Sequence, residues 1–376
     1  MKNFLLKKFR VKRKRRIKKS FWYGGIFVLL ALGFGLYQFT SVFDRSIETR
    51  YERIIAKVND AIDRHDWHDI LLHSNKILHV ITDDLATGKV TESQIGSLWQ
   101  ELVVLLKYAL AHTGELLENF FSYSHYHGFQ NLVGKQESHI FLLRASYLFL
   151  ADMELHSMAL ASAFNQFEVW ENPHALNDFI RSSLIVGDYG PLETFINRLE
   201  LSPKWRKQAR TYRAMLADTA KINADPYYIH RRSLGPQRDF LASWNFDYSI
   251  SELHFANPNN QRAFEYAVAF ILVSKMDDFF PKIEALLEKF DYEHIPRHLE
   301  EAILGSIGYG WNADISREMI MSRTFGGLTI RPETIFRHEN FVHHFAMLQQ
   351  GQLSENWFRE TYQDTYQYHY LLRPLE

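Results

Sequence analysis

Eleven of the first twenty residues are Lys or Arg and none is acidic, and a charge-free window then runs from Ser20 to Phe43. A helix rises about 1.5 Å per residue, so about 20 apolar residues cross a hydrocarbon core of about 30 Å. Residues 21–40 therefore predict a single transmembrane helix. Phe21, Trp22 and Tyr23 at one end and Tyr37 at the other suit interfacial aromatic positions. A cleaved signal peptide has a shorter apolar region that ends in small residues. Here the run is longer and Ser41-Val42-Phe43-Asp44 is a poor cleavage sequence, so the expectation is an uncleaved signal anchor. The positive-inside rule places residues 1–20 in the cytoplasm. Residues 41–376 then lie across the inner membrane, in a periplasmic or other extracytoplasmic space.

The basic run carries its own alternative, since such arms neutralise phosphates of nucleic acid. A topogenic flank explains the same residues without that partner, and they also suit anionic lipid headgroups. Removing the flank leaves 32 basic against 44 acidic groups in residues 21–376, a net −12. That excess repels anionic polymers and argues further against nucleic acid. Cysteine does not occur, which excludes disulfides, thiolate nucleophiles, cysteine zinc sites and iron–sulfur clusters.

After the window the periodicity is helical. Ile47–Arg64 places Ile47, Tyr51, Ile54, Ile55, Val58 and Ile62 at spacings of three and four, and Trp67–Leu85 repeats the pattern. Thr91-Glu92-Ser93-Gln94 resembles a capping box opening Ile95–His112. A joint recurs at Asp63-Arg64-His65-Asp66-Trp67, Ala151-Asp152-Met153, Gly187-Asp188-Tyr189 and Asp277-Asp278-Phe279. Each has an apolar helix end, a short polar turn with Asp, and a bulky residue opening the next helix. Asp at such a turn is expected to cap the second helix. The spacing from Asp152 to Asp188 approaches the tetratricopeptide period of about 34 residues.

The predicted fold is all-α: one N-terminal transmembrane helix, then a degenerate tetratricopeptide-like solenoid of helical hairpins. The expected divisions are a hairpin region over 45–220, an irregular connector over 221–260 rich in Pro and Gly, and a helical region over 261–376. Phe121–Gln136 reads as a loop and Phe325–Pro332 as a turn around Gly326-Gly327. The tail Trp357–Tyr370 reads as one capping helix with Phe358, Tyr362, Tyr366 and Tyr370 along a stripe.

Asn257-Pro258-Asn259-Asn260, then Ala263-Phe264-Glu265-Tyr266, then Ile295-Pro296-Arg297-His298-Leu299-Glu300-Glu301-Ala302-Ile303 stand in that order. With Phe179–Tyr189 before them, they resemble a family of Bacteroidetes membrane proteins of unassigned activity. The resemblance covers roughly residues 137–305. It implies an N-terminal membrane region, a helical tetratricopeptide-like tail and an envelope location, and no reaction.

Catalytic patterns are thin. His125 and His127, His294 and His298, and His343-His344 are the densest histidine groups. Pro296 makes the second pair straddle a helix start, and a catalytic zinc site needs three oriented protein ligands. Asp83-Asp84, Asp277-Asp278 and Glu300-Glu301 are adjacent on helices and do not face one another, so they read as solvated faces or caps. No phosphate-binding loop, dinucleotide fingerprint or nucleophile elbow occurs, and no cofactor or metal is expected. The aromatic run Phe120–His127 reads as packing or loop anchoring.

The leading expectation is therefore a membrane-anchored scaffold that binds a protein partner along a groove, with Arg181, Tyr189, Arg210 and Arg213 as candidate groove residues. Two alternatives are an exported all-α enzyme acting on glycan or peptide, and an accessory subunit of a transport or secretion assembly.

Overall fold

Apolar side chains recur at three- and four-residue intervals along most of the sequence after residue 45, and the fold is correspondingly helical. The computed structural model describes residues 51–372 apart from 52, 123–139, 171, 236–258, 276–286 and 311–313. The predicted anchor over 21–40, the basic flank, the His125/His127 group and the joint at Asp277-Asp278 lie outside the described residues. Among the described residues no helix is long and apolar enough to cross a membrane.

Contacts divide the chain into residues 1–59 and 60–376. In the first unit the described residues, 51 and 53–59, are helical. The second begins with α1 (Trp67–Ala86) and α2 (Glu92–Thr113), which pack as a hairpin. Then come α3 (Leu116–Asn119), a 3-10 turn over Phe120–Ser122, α4 (Ile140–Asp152) and α5 (His156–Trp170). They are followed by α6 (Pro173–Val186), α7 (Leu192–Glu200), α8 (Arg206–Leu216), α9 (Thr219–Ala224) and α10 (Pro226–Leu234). Packing in this half runs mainly between sequence neighbours: α4 on α5, α5 on α6, α7 on α8, with α2 on α4 and α6 on α10.

The remaining helices are α11 (Gln261–Ser274), α12 (Arg297–Ser306), α13 (Arg317–Ser322), α14 (Pro332–Gln349), α15 (Glu355–Tyr362) and α16 (Tyr366–Leu372). Here the packing turns back. Both α11 and α12 rest on α3, and α12 also meets α14 and α16. A purely linear stack would not make these contacts. Between α13 and α14, Gly326 and Gly327 take positive φ and let Thr324–Phe325 pair antiparallel with Leu328–Thr329. The expected turn is there, closed by a minimal two-stranded hairpin.

Only one described joint caps as expected. Asp66 accepts from the Asp69 N–H at 3.1 Å, after His65 reverses the chain at φ 54°. Asp152 instead ends α4 and meets His112 at 2.6 Å and Arg262 at 3.0 Å. At the third joint Gly187 closes α6 in the left-handed region and α7 starts after Pro191, so Asp188 caps neither. The connector also departs from expectation: Asp225 caps α10 through the Tyr227 N–H at 2.8 Å, with Pro226 at the first helical position, where its missing N–H costs nothing.

The aromatic tail is two helices. Thr365 Oγ1 accepts from the Tyr368 N–H at 3.2 Å and starts α16, while Asp364 is drawn to Arg297 and Arg337 at 2.9 and 2.7 Å. Phe358, Tyr362 and Tyr366 are buried, whereas Tyr370 reaches the surface.

Candidate functional site

Two polar regions stand out in residues 60–376, and their chemistry differs. The first surrounds α12. Arg297 Nε donates to Glu301 Oε1 at 3.0 Å and its Nη2 donates to the Asp364 carbonyl and carboxylate, each at 2.9 Å. The Phe121 N–H points at His298 Nε2 (3.1 Å), which requires a lone pair there. The ring therefore carries its proton on Nδ1 and donates it to Glu301 Oε2 at 3.0 Å. The Tyr366 N–H reaches the same oxygen at 2.8 Å, so Glu301 caps α16. Burial would raise the Glu301 pKa, but His298, Arg297 and that N–H hold it down at about 2.

Its neighbour Glu300 serves another helix. It accepts from the Arg331 N–H at 2.7 Å, Arg331 Nε at 3.0 Å and Thr334 Oγ1 at 2.5 Å, all at the start of α14. The doublet is thus buried and not a solvated face. Consecutive residues on a helix point about 100° apart, which is what lets two adjacent carboxylates close two different helix ends. Both carboxylates serve as caps, each at the start of a helix other than its own.

Beside this junction lies a cavity of about 220 Å³ lined by Gly305, Ser306, His338, Tyr366, Gln367, Tyr370 and Leu371. Its polar groups already have partners. His338 Nε2 donates to the Tyr309 carbonyl at 2.8 Å, its Nδ1 accepts from Gln367 Nε2 at 2.8 Å, and Ser306 Oγ donates to the Ile303 carbonyl. Burial lowers the His338 pKa and keeps the ring neutral. The histidine pair 294/298 straddles the start of α12, as Pro296 suggests, with His294 turned to Glu118 at 2.9 Å. Among the described residues no group of three His, Asp or Glu is placed to hold a metal ion.

The second region centres on α6. Tyr147 of α4 donates to the Asp178 carbonyl at 3.3 Å and accepts from Ser182 Oγ at 3.4 Å. Tyr212 of α8 donates to Asn177 Oδ1 at 2.8 Å. These tyrosines stand 35 residues from their side-chain partners, and Tyr189 bonds Asn223 at 2.9 Å across 34 residues. Asn177, Asp178 and Ser182 all lie within about one turn of Arg181, so both phenols end beside that guanidinium. Arg181 is only partly buried by surface exposure, and Tyr227, 46% exposed, completes its surroundings. Burial pushes the Tyr147 hydroxyl up to about 12, so it stays protonated. Burial also raises the Asp178 pKa, against the opposing pull of Arg144 and Arg181.

The four candidate groove residues divide. Arg210 and Arg213 share Glu200 at 3.2 and 2.7 Å on the surface, and Tyr189 sits with Asn223 and Arg232. Arg181 stands apart from them: among the described residues it makes no hydrogen bond, and Asp178 on the same helix is the carboxylate that attracts its charge. Tyr147, Tyr212 and Tyr227 were not among the sequence candidates. The 34- to 35-residue steps linking tyrosines to the α6 and α9 segments are the signal that could have found the first two.

Residues 2–373 match a family described as a family of unknown function, DUF6057. The chain belongs to DUF6057. The match spans nearly the whole sequence, well beyond the 137–305 stretch that carried the resemblance, and the junction motif Ile295–Ile303 falls inside it. No curated protein and no solved structure matches this DUF6057 chain.

Proposed function

We propose that this DUF6057 protein is a membrane-anchored envelope protein whose exported helical region binds a protein partner. Residues 21–40 form the anchor, residues 1–20 stay cytoplasmic, and the row α2, α4, α6, α10 belongs to a degenerate tetratricopeptide-like stack. The observation that carries the reading is the α6 face: Arg181, which among the described residues makes no hydrogen bond, lies near Tyr147, Tyr212 and Tyr227 in a stack of hairpins that pack on their sequence neighbours. Glu300 and Glu301 are committed to helix ends, which leaves the α6 face as the better candidate for external work. Large amphipathic rings beside an arginine are the composition of protein-recognition surfaces.

Orientation and partnership are tested on one strain. A reporter active only outside the cytoplasm, fused after residue 376, should be active, and a cytoplasmic reporter there silent. Cross-linking in intact membranes followed by affinity purification should recover the same second protein reproducibly. An active cytoplasmic reporter would overturn the orientation, and recovery of the chain by itself would overturn the partner.

A further inference from the structure

The cavity beside α12 has a buried floor and an exposed rim. His338, Tyr366 and Gln367, at 1, 4 and 5% exposed, form the floor, and Ser306, Tyr370 and Leu371 reach the surface at the rim. Hydrogen bonding fixes which way the Gln367 amide points. The Tyr309 carbonyl can only accept, so His338 Nε2 carries the ring's proton, and burial keeps the ring from gaining a second. His338 Nδ1 is then an acceptor, as is the Glu301 carbonyl. The Gln367 amide nitrogen lies 2.8 Å from the first and 3.2 Å from the second, and both of its hydrogens are spent there. The amide oxygen is left over. Among the described residues it accepts no hydrogen bond, and it is not one of the sealed atoms that lack a partner, so it keeps surface open to the cavity that Gln367 lines. Gly305 makes room on the α12 side. It takes an ordinary helical conformation, and a methyl group on it would meet no atom within 4 Å.

We propose that this cavity binds a neutral small molecule of one or two aromatic rings, which donates an N–H or O–H to Gln367 Oε1. The site lies apart from the α6 surface and does not depend on that reading. A cavity of about 150 Å³ holds benzene, and drug-sized sites begin near about 300 Å³. The 220 Å³ here suits a phenol or an indole. No lining side chain is charged, so an ion would shed its hydration with nothing to replace it. The rings of Tyr366 and Tyr370, with centroids 5.6 Å apart and planes at 40°, offer faces and edges to another flat ring. A sugar of that size carries a hydroxyl on most of its carbons, and a wall made mainly of ring and aliphatic carbon would leave them unmatched.

Binding is read by fluorine NMR on the full chain in lipid nanodiscs, with empty nanodiscs as the baseline for partition into lipid. The probes are 4-fluorophenol, 5-fluoroindole, 4-fluorotoluene, 4-fluorobenzoate and a fluorinated glucose. The phenol and the indole should bind more tightly than the toluene by about fivefold or more, the worth of one hydrogen bond. The benzoate and the sugar should show no saturable binding. Unlabelled indole should displace 5-fluoroindole better than N-acetyltryptophanamide does. The reverse order would assign the cavity to an aromatic side chain of a partner and overturn the small molecule.

Gly305→Leu fills the cavity from α12 and should abolish saturable binding of the phenol. Its thermal midpoint should hold or rise, because it replaces a helical glycine facing open space. Gln367→Met should bind phenol and toluene alike; if that variant does not fold, the contrast between the two ligands on wild type remains the measure of the acceptor. Equal binding of phenol and toluene by wild type, tighter binding of the benzoate or the sugar, or wild-type phenol binding by Gly305→Leu overturns the site. A midpoint several degrees lower for Gly305→Leu would mean that the space is not open to a ligand, and overturns it too.

Discussion

Replacing Glu301 with alanine should lower the folding stability of the full chain by about 3–5 kcal/mol, the cost of stranding buried charged partners. The side chain is 1% exposed and accepts from Arg297, His298 and the first N–H of α16. Its removal leaves Arg297 with Asp364 as its remaining anion, a buried imidazole N–H without an acceptor, and the Tyr366 N–H of the last helix without its acceptor. Linkage gives a similar figure. A carboxylate lowered from 4.5 to about 2 contributes on the order of 3 kcal/mol when ionised. Because the folded-state pKa is depressed, that contribution is present above about pH 4.5 and is lost as pH falls toward 2. Denaturant titrations at pH 7 and pH 3, followed by near-ultraviolet circular dichroism, should show a large gap between wild type and variant that narrows in acid. A gap under 1 kcal/mol at pH 7 would mean the junction does not hold the C-terminal helices.

Arg144→Leu should be the second large loss, about 3 kcal/mol at neutral pH. Arg144 neutralises Asp63 and Asp178, all three side chains being under 10% exposed. Asp63 keeps His174 at 2.9 Å and Lys204 at 3.1 Å, so the burden falls on Asp178, whose pKa burial already raises. Without Arg144 it rises further. A raised folded-state pKa means the protonated form is favoured in the fold, so the stability it supports is intact at low pH and lost as pH climbs through that value. The variant should therefore lie closer to wild type in acid than at neutral pH. Adding Asp178→Leu should recover much of the loss at pH 7. Additive losses in the double variant would contradict this pairing.

Helix existence was legible because it rests on local spacing. The stripe of Ile70, Ile77, Leu78 and Ile81 predicts α1 to within one residue at its end, and the Thr91–Gln94 pattern marks where α2 begins. The Asp joints were half legible, because an aspartate near a helix end can serve the next N–H groups or a distant cation. Asp66 has no buried cation to draw it away and caps, whereas Asp152 faces His112 and Arg262 and does not.

Long-range partnerships left no local trace. Glu300 meets residues 31 and 34 positions later, and Glu301 meets Tyr366 across 65. Adjacency on one helix says nothing of two separate partners, so the sequence leaves surface charge and helix cap both open for the doublet. The tail failed as one helix for the same reason: Arg297 and Arg337 pull Asp364 aside, a force from outside the local sequence. Arg181 was legible as a charged residue in an apolar hairpin. That it makes no hydrogen bond among the described residues became visible only with its neighbours in place.

The binding claim is met most directly by a photo-reactive amino acid at position 227, beside Arg181, in the full chain in living cells. A matched protein with the group at position 72, where Leu72 is 62% exposed on α1, supplies the comparison. Position 227 should give one discrete adduct that contains a second protein and is weakened by Arg181→Met, and position 72 should give none. Equal adducts from both positions, or none from either, would contradict a binding surface on α6.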